Sequence, residues 1–240
     1  MKIVVVGAAG TIGAAVTAAL EANKHEVIRA SRKLAPRIDI SDPQSIRRFF
    51  AEVKDLDGVV SCAGDARFAP LDKLTDEDFL FSVSNKLMGQ VNLIRAALPV
   101  IRDNGSITVT SGVLAKYPMI GSGAVSLVNA GLEGFTRVAA LEATRAVRVN
   151  VVSPGWVKET MVKFGMDPTP GKAAVDVNDE DEEQDYYTNS DWVLVTSDGA
   201  IFHDPAFKSS SVQPVRLRPN LRPWTDDYSN LFQILKILDK

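Results

Sequence analysis

The sequence predicts an α/β fold: a three-layer, doubly wound parallel sheet with helices on both faces, followed by an atypical carboxyl-terminal extension. Three observations predict it. Short β-branched runs alternate with helical patterns over roughly the first 160 residues. The runs are mostly apolar, as strands buried on both faces of a parallel sheet are. The first run passes through a glycine-rich turn directly into a helical pattern.

The strand-like runs are Ile3–Val6, Glu26–Arg29, Gly58–Ser61, Ser106–Thr110 and Val147–Val152. Between them lie helical stretches at Thr11–Ala22, Pro43–Val53, Asp76–Pro99 and Gly123–Ala143. In the last, Val125, Val128, Leu132, Phe135 and Ala139 share one face at helical spacing. Only Arg32 to Pro36 separate the second run from Arg37–Ile40. A parallel crossover needs about a dozen residues or more. Arg37–Ile40 is therefore expected as a short strand or an extended loop at the sheet edge.

Three segments are expected: an α/β domain over residues 1–172, an acidic linker over 173–190 and an extension over 191–240. "DPTPG", Asp167–Gly171, is turn chemistry. "NDEDEEQD", Asn178–Asp185, reads as a solvated linker. The alternative, an acidic metal patch, lacks the spacing and glycine of a calcium loop. "DWVLVTSDGA" is strand-like and ends in a turn at Asp198–Gly199, and "SVQPVRLRPNLRP" reads as an extended basic surface segment. The end begins at a helix cap, Thr225 or Asp226, and carries an apolar stripe of Tyr228, Leu231, Phe232, Leu235 and Leu238. That stripe must bury somewhere.

Composition narrows the function classes. The chain has 240 residues, 45% of them hydrophobic, enough for a sizeable core. A net charge of −3 argues against a nucleic-acid partner. With Cys62 as the single cysteine, no internal disulfide forms. The start "MKIVVVGAAGTIGAAV" has the lysine and apolar run of a signal peptide, but its three spaced glycines fit a strand-turn-helix better. No run approaches membrane-spanning length. The expectation is a soluble cytoplasmic protein with no membrane partner. His25 and His203 lack metal-ligand spacing, so no metal is expected. The nucleophile elbow of a serine hydrolase is absent. Cys62 reads as a small buried hydrophobe.

In "VVVGAAGTIGAAV", Gly7, Gly10 and Gly13 lie between a strand and a helix. Gly7 permits the tight turn, Gly10 lets a pyrophosphate approach the backbone, and Gly13 allows close helix–strand packing. The helix amino terminus then offers free N–H groups and its positive dipole end to the anion. The strand–loop–helix context supports a dinucleotide site. At the end of the second run stands "ASRK". Arg32 and Lys33 would attract a 2′-phosphate, and no carboxylate there would repel it, which favours NADP(H) over NAD. The alternative is a pair of cations on a solvated loop.

These motifs, in this order, resemble the short-chain dehydrogenase/reductase family over about two-thirds of the chain. "GAAGTIG" is similar to the family's glycine loop, "DIS" at Asp39–Ser41 to its acidic motif near the adenine ring, and "SCAGDA" to its Asn-Asn-Ala-Gly. "NLIRAALP" resembles its central helix, "VTSG" the end of its serine-bearing strand, and "VNVVSPGWVKET" the stretch lining the nicotinamide. The resemblance implies a Rossmann fold and a cofactor held by Gly7, Gly10, Thr11, Ile12, Gly13, Ser31, Arg32, Asp39, Ile40, Ala63, Gly64, Asn129, Pro154, Gly155, Val157 and Thr160. It also implies homodimers or homotetramers through the two long central helices.

The catalytic positions depart from the family. Its tyrosine falls at Val125, its lysine four residues later at Asn129, its helix-four asparagine at Lys86, and its serine at Ser111 or Gly112. Valine cannot move a proton, and asparagine supplies no charge. A Lys86–Ser111–Tyr117 cluster is the candidate replacement. The plainer readings are a solvent-facing Lys86, a Ser111 bonded to backbone and a loop-packed Tyr117. Two functions follow: an NADP(H)-dependent oxidoreductase of a small carbonyl or alcohol, and a non-catalytic NADP(H)-binding sensor or scaffold. A structural protein with a vestigial cofactor site is a third reading, against which the intact glycine loop speaks. "RPWTDDYSNLFQIL" is similar to the carboxyl ends of spermidine-synthase-like proteins, but it carries no cofactor loop and no activity transfers from it.

Overall fold

The computed structural model describes residues 1–163, 165–167, 193–195 and 201–202. In chain order the elements are β1 (Lys2–Val6), α1 (Thr11–Ala22), β2 (Glu26–Ala30), α2 (Pro43–Glu52), β3 (Leu56–Ser61) and α3 (Asp76–Ser82). A π-helical turn (Val83–Leu87) leads into α4 (Met88–Ala97) and β4 (Ile101–Thr110). A 3-10 turn (Val113–Ala115), α5 (Gly123–Glu142), β5 (Arg148–Ser153) and α6 (Lys158–Lys163) follow, then β6 (Val193–Val195) and β7 (Ile201–Phe202).

The sheet order is β2-β1-β3-β4-β5-β6-β7, and β1 to β5 are parallel. From β1 the chain winds outward first to β2 and then the other way to β3, the doubly wound topology that the sequence predicts. The winding reverses beyond the carboxyl ends of β1 and β3, which is the usual ligand position in such sheets. In register there, Val6 lies beside Ala30 on one side and Ser61 on the other.

Strand alternation divides the core. Val4 and Val6 join the cluster under α2, α4 and α5, which includes Phe49, Leu93, Ile94 and Leu132. Ile3 and Val5 turn to the opposite face and pack with Val16 and Leu20 of α1. Both faces of β1 are thus covered, which is why its sequence is an unbroken apolar run.

Four expectations are refined. Arg37–Ile40 is an extended loop tied to the sheet by one parallel bridge, Ser31 to Arg37, with Ile38 donating its N–H to the Ser31 carbonyl at 3.2 Å. The helix expected over Asp76–Pro99 is two helices joined by the π turn. Thr75 and Asp78 start α3 with a reciprocal capping box, and the wide turn then shifts the helical register. On α5 the buried line is Ala124, Val128, Leu132, Thr136 and Ala139, with Asn129 and Ala140 beside it. Val125 and Phe135 are only half-buried. Finally, the strand-like run in "WVLV" pairs with β5, antiparallel, with Val151 opposite Val195, and β7 pairs antiparallel with β6. Antiparallel strands at the edge of a parallel sheet are common. The acidic linker, the Asp198–Gly199 turn and the expected terminal helix lie outside the described residues.

Candidate dinucleotide site

The glycine turn is built by close backbone approach. Gly7 has φ +87°, and its N–H donates to the Ala30 carbonyl at 2.8 Å. A Cβ at Gly7 would lie 2.9 Å from Ala63 N. A Cβ at Gly13 would lie 2.1 Å from the Gly7 carbonyl oxygen, so only glycine lets α1 start this close to β1. At Gly10 a Cβ would meet the Gly7 oxygen at 3.3 Å and, beyond its chain neighbours, no other atom of the described residues within 4 Å. Gly10 caps α1 and has no side chain to bond the first-turn amides. Among the described residues, the N–H groups of Thr11, Ile12 and Gly13 have no acceptor. Three free amides at a helix amino terminus, beside an uncrowded glycine, fit a diphosphate.

Past β2, the Ser31 hydroxyl accepts from Lys33 N at 3.1 Å and Leu34 N at 3.0 Å, which curls the loop. Arg32 and Lys33 are exposed, and among the described residues neither forms an ion pair. Asp39 accepts from Ser41 N and Ser41 Oγ at 3.0 and 2.7 Å. A Cβ at Gly89 would come within 3.0 Å of Ile40, so glycine admits the Asp39–Ile40 loop against α4. These groups lie on the loop that follows β2.

On the side of β4 the structure brings together Lys86, Ser111, Asn129 and a residue the sequence reading missed, Glu133. Lys86 leaves the π turn, and its stem lies where a Cβ on Gly64 (φ +139°) would stand, 2.9 Å from Lys86 Cγ. Its ammonium donates to the Ser111 carbonyl at 3.1 Å. Burial pushes the Lys86 amine down to about 8, while the negative charges of Asp65 and Glu133 pull the other way. The Ser111 hydroxyl turns toward α5, 2.7 Å from Glu133 Oε1 and 3.3 Å from the Asn129 carbonyl. Asn129 is 1% exposed, donates Nδ2 to the Gly112 carbonyl at 3.3 Å, and leaves its Oδ1 without a partner among the described residues.

Gln90, also missed, holds this corner in place. It is fully buried on α4, one turn past Lys86. Its amide donates to Thr110 O at 2.9 Å and accepts from Thr110 N at 3.0 Å, clamping α4 to the end of β4. Thr110 Oγ1 in turn donates to Ser61 O at 2.8 Å, tying β4 to β3. A lone glutamine in an apolar stretch was the only sequence signal for this clamp.

Tyr117 lies in the loop after the 3-10 turn. Its N–H donates to Val113 O at 3.0 Å, and the Lys116 ammonium sits 5.1 Å from its ring centre. Neither of those contacts reaches Lys86 or Ser111. Beyond β5, Pro154 accepts from Val113 N at 2.8 Å, and Val157 O accepts from Thr160 N at 2.9 Å, so Pro154–Thr160 folds back along the same edge. Cys62 has its thiol pushed up to about 12 by burial, so it is a poor nucleophile. An apolar rim of Phe68, Leu71, Met119 and Ile120 is exposed on two loops that meet through Ala69 N and Gly121 O at 3.0 Å. Among the described residues, no group of three or more His, Cys, Asp or Glu is placed to hold a metal, and no helix is long and apolar enough to cross a membrane.

Residues 7–178 match the family model described as enoyl-(acyl carrier protein) reductase. The chain is 31% identical over 136 residues to 3-oxoacyl-[acyl-carrier-protein] reductase of Mus musculus, covering 54% of this chain and 58% of that protein. It spans less than two thirds of the length of the first curated relatives it matches. Among solved structures, lin1944 from Listeria innocua is similar at a TM-score of 0.68 and 35% identity, over 73% of this chain and 88% of that one. A small-chain dehydrogenase in complex with NADPH is similar at a TM-score of 0.63 and 29% identity, over 70% and 76%. With a family match over most of its length and this sheet topology, the chain belongs to the short-chain dehydrogenase/reductase family.

Proposed function

We propose that the protein is an NADP(H)-dependent oxidoreductase acting on a small carbonyl or alcohol. The observation that carries this is that, among the described residues, the amides of Thr11, Ile12 and Gly13 have no acceptor and the exposed cations Arg32 and Lys33 have no ion-pair partner. The amides take the diphosphate. Arg32 and Lys33 take a 2′-phosphate, which gives the preference over NAD. Asp39 and Ile40 border the adenine end, Ala63 and Gly64 form the floor, and Pro154, Gly155, Val157 and Thr160 flank the nicotinamide. When bound, the dinucleotide supplies the hydride chemistry. The chain's own residues orient it, exclude water and handle the proton. The rim of Phe68, Leu71, Met119 and Ile120 favours an uncharged, apolar substrate. The exposed Leu127, Val138 and Leu141 of α5 offer an apolar face for a homodimer or homotetramer.

A second reading, a sensor or scaffold that binds NADP(H) without turnover, is supported by the family resemblance of the sequence, which puts Val125 and Asn129 at the tyrosine and lysine positions. Binding of NADPH and NADH followed by fluorescence, then assay on a carbonyl panel, separates the two. Tight NADPH binding with turnover supports the oxidoreductase. Tight binding with no turnover on any carbonyl supports the sensor.

A further inference from the structure

By the family resemblance, the lysine position on α5 holds an asparagine here, while the asparagine position, in the π turn before α4, holds a lysine. Asn129 and Lys86 have in effect exchanged chemistry across the site. The structure shows what the exchange does. The π turn and the Gln90 clamp bring Lys86 across the carboxyl ends of β3 and β4, over Gly64 and onto the Ser111 carbonyl. One of its three N–H donors is held there, and the other two have no acceptor among the described residues. The charged groups facing Lys86 are Asp65 from the loop after β3 and Glu133 from α5, while the end of β4 and the residue after it contribute only the neutral Thr110 and Ser111. Glu133 does not touch Lys86 in an ion pair. It holds the Ser111 hydroxyl at 2.7 Å, and Ser111 holds Lys86 through its carbonyl.

Resting on the oxidoreductase reading above, we propose that Lys86 is the proton donor to the substrate oxygen, and that Glu133, through Ser111, is its positioning residue. In the reducing direction a Lys86 N–H bond breaks, the substrate O–H bond forms, and the neutral amine regains its proton from water. An amine near 8 is mostly charged at neutral pH yet releases its proton far more readily than an ordinary lysine. Removing the Glu133 charge lowers the pH at which Lys86 is charged, because an opposite charge favours the ammonium.

The test uses the full chain. Trace acetylation, read lysine by lysine by mass spectrometry, gives the pH at which Lys86 becomes reactive, with and without saturating NADPH. The expected half-point lies near 8, moves lower in Glu133→Gln, and returns part way in Glu133→Asp. The surface change Asp65→Asn shifts it in the same direction, which covers a Glu133 variant that does not fold. NADPH slows Lys86 acetylation several-fold. On a panel of aldehydes, α-diketones and β-keto thioesters, Lys86→Met loses turnover, and Lys86→Arg does not restore it, because a guanidinium cannot release its proton. A Lys86 that titrates like exposed lysines, a half-point unmoved in a folded Glu133→Gln, equal labelling with NADPH, or wild-type turnover in Lys86→Arg each overturns the proposal. No turnover by the wild type with NADPH bound also overturns the donor role. A wild-type chain that binds no NADPH defeats the oxidoreductase reading itself, whereas binding without protection of Lys86 defeats only this assignment.

Discussion

Gly10→Ala separates a glycine kept for the fold from one kept for a ligand. In the structure its methyl would sit 3.3 Å from the Gly7 carbonyl oxygen, a contact relieved by a shift of a few tenths of an ångström. At a helix cap, alanine in place of glycine costs about 1 kcal/mol or less. The folded state should therefore persist. On the proposed placement of the diphosphate, however, the methyl would take space that the ligand needs beside the Thr11–Gly13 amides. A hydrogen bond to a charged group is worth roughly 1.5–3 kcal/mol. Losing one or two of them weakens NADPH binding by about 3 kcal/mol, or roughly 100-fold in Kd. Urea denaturation and fluorescence titration of NADPH, side by side, read both quantities. Gly13→Ala serves as the contrast: its Cβ would lie 2.1 Å from a backbone oxygen, so stability and binding fall together. Unchanged NADPH affinity in a well-folded Gly10→Ala would refute the placement of the diphosphate.

Further outcomes follow from the same geometry. Arg32→Ala should weaken NADPH by roughly tenfold through loss of one charge-assisted contact, leaving NADH unaffected; equal losses for both would remove Arg32 from 2′-phosphate recognition. Lys86 is held near 8 when folded against about 10.4 when unfolded. Between those values the unfolded chain binds more protons, so stability should rise as pH climbs from about 8 to about 10. Lys86→Met should lack that rise and melt higher than the wild type at neutral pH; an identical pH profile would contradict the burial of the amine. Cys62, with its thiol pushed up to about 12, should react with iodoacetamide at neutral pH only after unfolding. Fast labelling of the native chain would show that the thiol is open.

What the sequence made legible was local. The glycine loop, the apolar strands and the missing crossover before Arg37 are patterns within a few residues, and a short chain segment determines them. The serine position shows the limit. Spacing left Ser111 and Gly112 as alternatives, and the structure turns the Ser111 hydroxyl into α5 while a Cβ on Gly112 would face Asn129 Nδ2 at 2.8 Å. Gln90 and Glu133 were invisible because their partners, Thr110 and Ser111, are 20 and 22 residues away. Nothing in a helical period marks a polar residue as a clamp. The π turn was missed for a related reason: residues 83–87 read as ordinary helix, and only packing of Lys86 and Gln90 against β4 makes the wider turn useful. The antiparallel pairing of β6 was hidden because alternation of side chains is the same in either strand direction.

The central claim is that the turn after β1 and the loop after β2 together hold NADP(H). Calorimetric titration of the full-length chain with NADPH, competed by 2′-phospho-ADP-ribose, tests it most directly. The account predicts saturable binding of one NADPH per chain, displaced by the competitor and much weaker for NADH. Heat indistinguishable from dilution for both dinucleotides would contradict it.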